Sequence, residues 1–381
     1  MGHASDPAGV CGTVPNMNAN PTAGPPAFAP LQGITVLALE QAVAAPFCTR
    51  QLAELGARVI KIERPGSGDF ARGYDARVRG LSSHFVWTNR SKESLTLDIK
   101  HAEAKDILAR LLATSDVLVQ NLAPGATERL GLSHAVLEKQ HPRLIVCDIS
   151  GYGADGPYRD KKAYDLLIQS ESGLLSVTGT PEQASKAGCS MADIAAGMYA
   201  YSNILAALIE RGRTGRGRRI DVSMLESTVE WMSFPLYYAF DGAPPPVRAG
   251  ASHATIYPYG PFPAGDGKLV MLGLQNEREW EVFCREVLEQ PALAEDATFK
   301  GNNARVQNRP ALDKTIGAVF AKLTRAEVVA RLTRRRPSAR RRSWRRASPA
   351  GPGTATGSMT PTCRRRTANC RRSGGSETDR T

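Results

Sequence analysis

Two short apolar runs, Ile34–Leu39 (ITVLAL) and Arg58–Ile62 (RVIKI), flank a stretch that opens on Pro46 and closes on Gly56. Each run is too short for a helix and has the continuous apolar character of a strand covered on both faces. Proline favours the first turn of a helix and glycine the position just past its end, so Pro46–Leu55 reads as a helix. Strand, helix and strand joined by short connections form a crossover unit, which makes the two strands parallel. Working outward, the alternation continues with helix Ala102–Ala113, strand Val117–Asn121, helix Ser133–Gln140 and strand Leu144–Ser150. A long helix rich in Ala, Gly, Ile and Leu, Asp193–Arg211, then precedes strand Arg219–Ser223 and helix Met224–Met232. The expectation is an α/β large domain with a parallel sheet over residues 30–225.

From Phe234 to about Gly267 the chain is rich in Pro, Gly and aromatics, which marks irregular loops and a change of domain. Strand Lys268–Leu272 and helix Asn276–Glu289 follow, so 226–331 reads as a linker and a smaller α+β domain. Residues 1–29, built from Ala, Pro and Gly, have neither the charged start and apolar block of a secretory signal nor the arginines of a transit peptide. They read as a disordered extension. No run of 18 apolar residues occurs, so no membrane-crossing helix is expected. The seven cysteines are widely spaced with no Cys-x-x-Cys pair, which suggests neither a zinc site nor a disulfide framework and fits a reducing cytoplasm.

The net charge of +12 belongs to one segment. From Arg331 onward 15 arginines face two acids, so that segment carries +13 and the preceding 330 residues carry −1. The body is nearly neutral and lacks the basic surplus that a nucleic-acid partner requires, so nucleic acid is not an expected partner for it. Beyond Leu332 there is no Ile, Val, Phe, Tyr or Lys, and such a composition buries too little apolar surface to offset its ordering entropy. The expectation for 332–381 is a disordered Arg-rich tail. Two origins stand beside each other: a tail that binds RNA or anionic surfaces, or, the favoured reading, a shifted reading frame in a GC-rich gene, which resequencing decides.

Two motifs invite chemistry. Gly151-Tyr152-Gly153-Ala154-Asp155-Gly156 matches the dinucleotide-binding spacing and follows a strand. Pro157 comes directly after it and no helix start is well placed to receive a pyrophosphate, so a plain Gly-rich loop is the better reading. Asp193, in Ala192-Asp193-Ile194-Ala195-Ala196-Gly197, stands at the start of the long apolar helix. On pattern alone it is a helix cap. The same place also suits a covalent nucleophile, because small neighbours leave room for a ligand and a desolvated carboxylate is reactive.

Ordered segments along the chain decide between these readings. PLQGITVLAL, LGARVIKIERPGSGD, NRSKESLTLDIK, VLVQNLAPGATERLGL, RLIVCDISGYGADGPY, ADIAAGMYA, AALIERGRTGRGRRIDVSMLE and GDGKLVMLG resemble the family III CoA-transferases, from about Leu31 to Leu332. The resemblance implies a Rossmann-like large domain, a smaller domain and an interlocked homodimer. It implies that Asp193 is the catalytic nucleophile, with Tyr164 and Asp165 as an active-site Tyr-acid pair. It places coenzyme A contacts at Arg64, Lys92, Asn121, Ala126, Arg129 and Lys162, and it implies no metal and no permanently bound cofactor; acyl-CoA is a substrate.

Similar enzymes with this fold, the α-methylacyl-CoA racemases, carry a His where this chain has Tyr164 and a Glu where it has Asn276. Both differences argue against proton transfer at carbon. Oxalate-specific members carry Gln where this chain has Val43. EQAVAAPF, FARGYD, SSHFVW and GASHATI look closest to members acting on short dicarboxylic acids such as mesaconate, citramalate, itaconate or succinate. A racemase, or an inactive homologue with a nucleic-acid-binding tail, are the alternatives.

Overall fold

The computed structural model describes residues 29–333. The expectations for the N-terminal extension and for the Arg-rich tail lie outside the described residues.

β1 (Thr35–Leu39), α1 (Ala44–Glu54) and β2 (Arg58–Glu63) form the expected unit, with Leu37 opposite Ile60 in a parallel pair. Next come α2 (Ser83–Asn89), β3 (Glu93–Thr96), α3 (Ala104–Ala113), β4 (Val117–Gln120), α4 (Ala126–Arg129), α5 (His134–Gln140) and β5 (Ile145–Ser150). The large unit is completed by α6 (Asp165–Glu171), α7 (Leu174–Val177), α8 (Met191–Thr214), β6 (Arg219–Ser223), α9 (Met224–Val229) and α10 (Ser233–Tyr238). The six strands run β3-β2-β1-β4-β5-β6, and every neighbouring pair is parallel. The order reverses between β1 and β4, and that crevice at the carboxyl ends is where doubly wound sheets bind ligands.

Side chains alternate across the sheet with a period of two. Val36, Ala38, Val59, Val117, Val119, Ile145 and Cys147 face α1 and α8, whereas Leu37, Leu39, Ile60, Ile62 and Leu118 pack with Leu108, Leu112 and Leu137 of α3 and α5. The α1/α8 side is lined by small residues, which lets two helices sit close to the sheet and to each other. At Gly197 of α8 an added Cβ would stand 2.7 Å from the Ala44 carbonyl oxygen and 3.0 Å from the Phe47 ring, so only glycine permits this crossing. α8 is long and apolar enough to cross a membrane, but it packs against α1, α6, α9, β5 and β6, and a core position accounts for its composition.

Three differences from the sequence reading have physical causes. β3 was not expected, because an edge strand reading ESLT is only partly buried and shows no apolar alternation. α8 begins at Met191, not Asp193. The compact units divide after Tyr257, within the stretch expected to carry the change of domain, but the expected linker from 226 onward packs with the large unit. The reason is that 226–250 is tied to the large unit: α9 packs on α8 and α6, the Gly250 amide donates to the Gly179 carbonyl at 2.8 Å, and Arg248 donates to the carbonyls of Thr180 and Pro181 at 2.9 Å each.

The second unit contains the antiparallel hairpin of β7 (Tyr259–Pro263) and β8 (Leu269–Gly273), with helices α11 (Glu277–Val282), α12 (Asn302–Gln307), α13 (Arg309–Phe320) and α14 (Arg325–Thr333). β7, YGPFP, lies in the Pro-, Gly- and aromatic-rich stretch expected to be loop; a two-stranded hairpin accepts its prolines at its open edges. Trp280, Phe283, Phe262 and Phe320 form its buried aromatic centre. Asn276 caps α11 by accepting the Glu279 amide at 3.0 Å.

Candidate active site

The crevice at the switch point is built first from backbone. After β1 the chain turns through Gln41 and Ala42 into α1. The Asn121 side chain, just past β4, accepts the Gln41 amide and donates to the Gln41 carbonyl, both at 2.9 Å. This clasp joins the two strands that flank the switch point. Ala42 is a non-glycine residue at φ 64°, a left-handed conformation that costs about 1–2 kcal/mol. Its amide is held by the Asp69 carboxylate at 3.0 Å.

Asp193 lies in the first turn of α8. A helix start leaves amides without partners, and acids there commonly fold back to cap them. Asp193 is freed from that duty by Asp165, whose Oδ1 accepts the Ala192 amide at 2.9 Å. The other Asp165 oxygen accepts from the Gln169 side chain at 2.7 Å, and Gln169 in turn accepts the Ala187 amide at 2.9 Å. The loop that enters α8 is therefore anchored to α6. The Asp193 carboxyl instead stands near the start of α1, which α8 crosses closely at Gly197, and the amide of Ala44, the first residue of that helix, acts on it. Burial pushes the Asp193 carboxyl up, the Asp165 charge pushes it further, and the Ala44 amide pulls it back, leaving it at about 7. A carboxylate with such a pKa is more nucleophilic than an ordinary one and half ionised near neutrality.

Tyr74 is raised by burial and then by the charges of Asp69 and Asp193. Its ring meets His84 edge-on at 5.4 Å, and Phe47 meets Trp87 at 5.6 Å.

Beneath the α1 entrance runs a buried charge network. Lys92 donates to Glu40 at 2.7 Å, to the Pro46 carbonyl at 2.9 Å and to Asn89 at 3.2 Å. Lys61 donates to Asp69 at 2.6 Å and to Asn89 at 2.8 Å. Thr49 donates to Glu40 at 2.7 Å. Burial pulls the Lys92 ammonium down to about 8 against the opposing pull of Glu40. Burial alone would raise Glu40, but Lys92 and Lys61 outweigh it and lower this carboxyl. Burial would also raise Glu63; hydrogen bonds from Arg72, Ser94 and the Asp69 amide overcome it and hold Glu63 at about 2.

Residues 31–355 match the model for CoA-transferase family III. The chain belongs to that family. It is 38% identical over 295 residues to the succinyl-CoA:glutarate CoA-transferase of Mus musculus, covering 77% of this chain and 67% of the relative. It is 35% identical to the succinate–glutarate CoA-transferase of Agrobacterium fabrum, covering 79% of this chain and 76% of the relative. A solved CaiB/BaiF family protein from Brucella suis is similar at a TM-score of 0.68 with 32% identity, covering 80% of this chain and 82% of that one. The chain thus spans about two thirds of the length of the mouse relative.

For a family III chain the expected contacts divide into two groups. Arg64, Arg129 and Lys162 are exposed, just past the carboxyl end of β2, at the end of α4 and in the loop after β5. Ala126 opens α4 after Gly125, whose φ of 72° suits glycine. Tyr164 is 55% exposed, and the Lys162 ammonium lies 5.1 Å over its ring. Lys92 belongs elsewhere. It is buried, precedes β3 and directs its donors to Glu40, Pro46 and Asn89, the position of a core counter-ion. Asn121 spends its side chain on Gln41. The Gly151–Gly156 motif is a loop, as read: an added Cβ on Gly151 would stand 2.1 Å from that of Ala163, so the glycine serves close packing.

Glu40, Lys61, Asp69 and Tyr74 were not singled out from sequence. Lys61 alone carried a signal, as a charge inside the apolar strand RVIKI that demands a buried partner.

Proposed function

We propose that this protein moves coenzyme A from a short acyl-CoA, such as succinyl-CoA, to a short dicarboxylic acid of the glutarate, mesaconate, citramalate or itaconate type. One observation carries the reading: a desolvated Asp193 carboxyl set between the start of α8 and the Ala44 amide of α1. A carboxylate oxygen of Asp193 attacks the thioester carbonyl, the carbon–sulfur bond breaks, and CoA thiolate leaves behind a mixed anhydride. The thiolate then attacks the aspartyl carbonyl and expels the donor as its carboxylate, which forms an aspartyl-CoA thioester. The acceptor carboxylate repeats the sequence in reverse. The Ala44 amide stays within reach of the aspartyl carbonyl oxygen and stabilises the charge that develops there. Nothing is oxidised, and the exchange of one thioester for another needs no ATP.

The dicarboxylate class is supported by the names of the mouse and Agrobacterium relatives. A racemase is disfavoured: Tyr164 replaces the proton-transfer His, and Asn276 serves as the cap of α11. Incubation with succinyl-CoA followed by hydroxylamine or borohydride is expected to modify the peptide containing Asp193, and to leave Asp193→Ala unmodified. A folded wild-type protein that gains no label with succinyl-, glutaryl- or acetyl-CoA would sink the covalent reading.

The protein also acts as a homodimer in this reading. Phe234, Leu236, Tyr237, Phe240 and Val247 are each more than half exposed along one segment, apolar side chains that a partner subunit could cover. Size-exclusion chromatography with light scattering is expected to give twice the 41.0 kDa chain mass; a monomer at micromolar concentration counts against it.

A further inference from the structure

The Asp69 carboxylate lies where two backbone segments beside Asp193 come together. Asp69 follows the turn Pro65–Gly68 and is fully buried. Its Oδ1 accepts the Ala42 amide at 3.0 Å and the Ala71 amide at 2.9 Å, while Oδ2 takes the Lys61 ammonium at 2.6 Å. Its own amide donates to Glu63 Oε1 at 2.9 Å, and Glu63 is clamped by Arg72 at 2.8 and 2.6 Å. Ala42 stands two residues before Ala44, whose carbonyl packs against Gly197 one turn beyond Asp193 and whose amide pulls the Asp193 carboxyl down, and it holds its left-handed φ of 64° against the preference of an alanine. Ala71 lies in the short turn Phe70–Gly73 that leads straight to Tyr74, whose hydroxyl senses the Asp193 charge.

We propose that Asp69 is a positioning residue for the transfer reaction: one buried carboxylate ties the strained entrance of α1 to the turn that carries Tyr74, and so aims the Ala44 amide at Asp193. The proposal rests on the reading of Asp193 as nucleophile. Asp69 touches no substrate; it acts through backbone. The arrangement also explains why Lys61 is buried in an apolar strand. An acceptor of two amides needs its charge held in place, and the Lys61 ammonium does that without competing for Oδ1.

The test uses full-length protein and the dependence of kcat/KM on pH with succinyl-CoA and glutarate. In Asp69→Asn the amide group faces the Lys61 ammonium and the clasp loosens. If Asp69 positions Ala44, the acid limb of the profile moves to higher pH, because the Ala44 amide, which lowers the Asp193 carboxyl, moves away while burial and Asp165 remain. A loss of Asp69 charge felt directly through space would instead move the limb to lower pH. Tyr74 also faces Asp193, and its titration lies far above this limb. The expected result is a 10- to 100-fold lower kcat, roughly the scale of a misplaced catalytic group, with KM for succinyl-CoA within about two-fold.

Ala42→Val strains the same turn without removing a charge, since a β-branched residue is strained at positive φ. It is expected to move the limb the same way, and it decides the matter alone if Asp69→Asn does not fold. An unmoved or lowered limb in the folded variants overturns the proposal. Trapping at Asp193 in the wild-type protein is run in parallel. If it labels and the limb does not move, Asp69 is merely structural; if it does not label, the nucleophile reading has failed first.

Discussion

Asp193→Asn is expected to abolish CoA transfer, with kcat falling by at least about 10³-fold, the scale set by loss of a covalent nucleophile. The same change is expected to stabilise the fold. The folded-state carboxyl titrates near 7, against about 3.9 in an unfolded chain. Between those values the folded protein binds the extra proton, so the wild-type protein loses stability as pH rises from about 4 to about 7. The ceiling on that loss is about 4 kcal/mol, from about three pKa units at 1.36 kcal/mol each. Asp193 is only partly buried, so roughly half of it is a more realistic magnitude. Melting the two proteins at pH 4 and pH 8 checks this. Asp193→Asn should match wild type at pH 4 and exceed it at pH 8, where a gain of about 2 kcal/mol corresponds to roughly 4–8 °C for a domain of this size. Equal melting temperatures at pH 8 would mean that Asp193 is well solvated and its carboxyl ordinary. The acid limb of wild-type kcat/KM is expected near pH 7 for the same reason.

Lys92→Ala is the second large effect, and it separates two roles for that residue. Removing the ammonium leaves the Glu40 carboxylate, fully buried, with Lys61 at 3.6 Å and Thr49 but without its closest counter-ion. Breaking one partner of a buried pair costs about 3–5 kcal/mol. Urea unfolding should show the midpoint fall while the residual folded protein keeps its KM for acyl-CoA. A phosphate-binding lysine would do the opposite, raising KM several-fold at unchanged stability. That second outcome would place Lys92 at the coenzyme A site.

Local patterns in the sequence were enough for the layout of the large unit. ITVLAL and RVIKI announce parallel strands through their length and apolar continuity, Pro46 and Gly56 mark the helix between them, and the ordered family segments point to Asp193. These signals are local because a strand or a helix is defined by neighbours two to four residues apart. Three-dimensional structure decided everything that depends on residues distant in sequence. Glu40 and Lys92, 52 positions apart, become one ion pair. Asp165, not Asp193, caps α8 across 27 positions, which leaves the Asp193 carboxyl free for Ala44. ESLT is a strand only because β2 offers it an edge. Desolvation belongs to surroundings and not to a residue type. The raised Asp193, the core role of Lys92 and the clasp at Asp69 therefore became visible only once the chain had been folded around them.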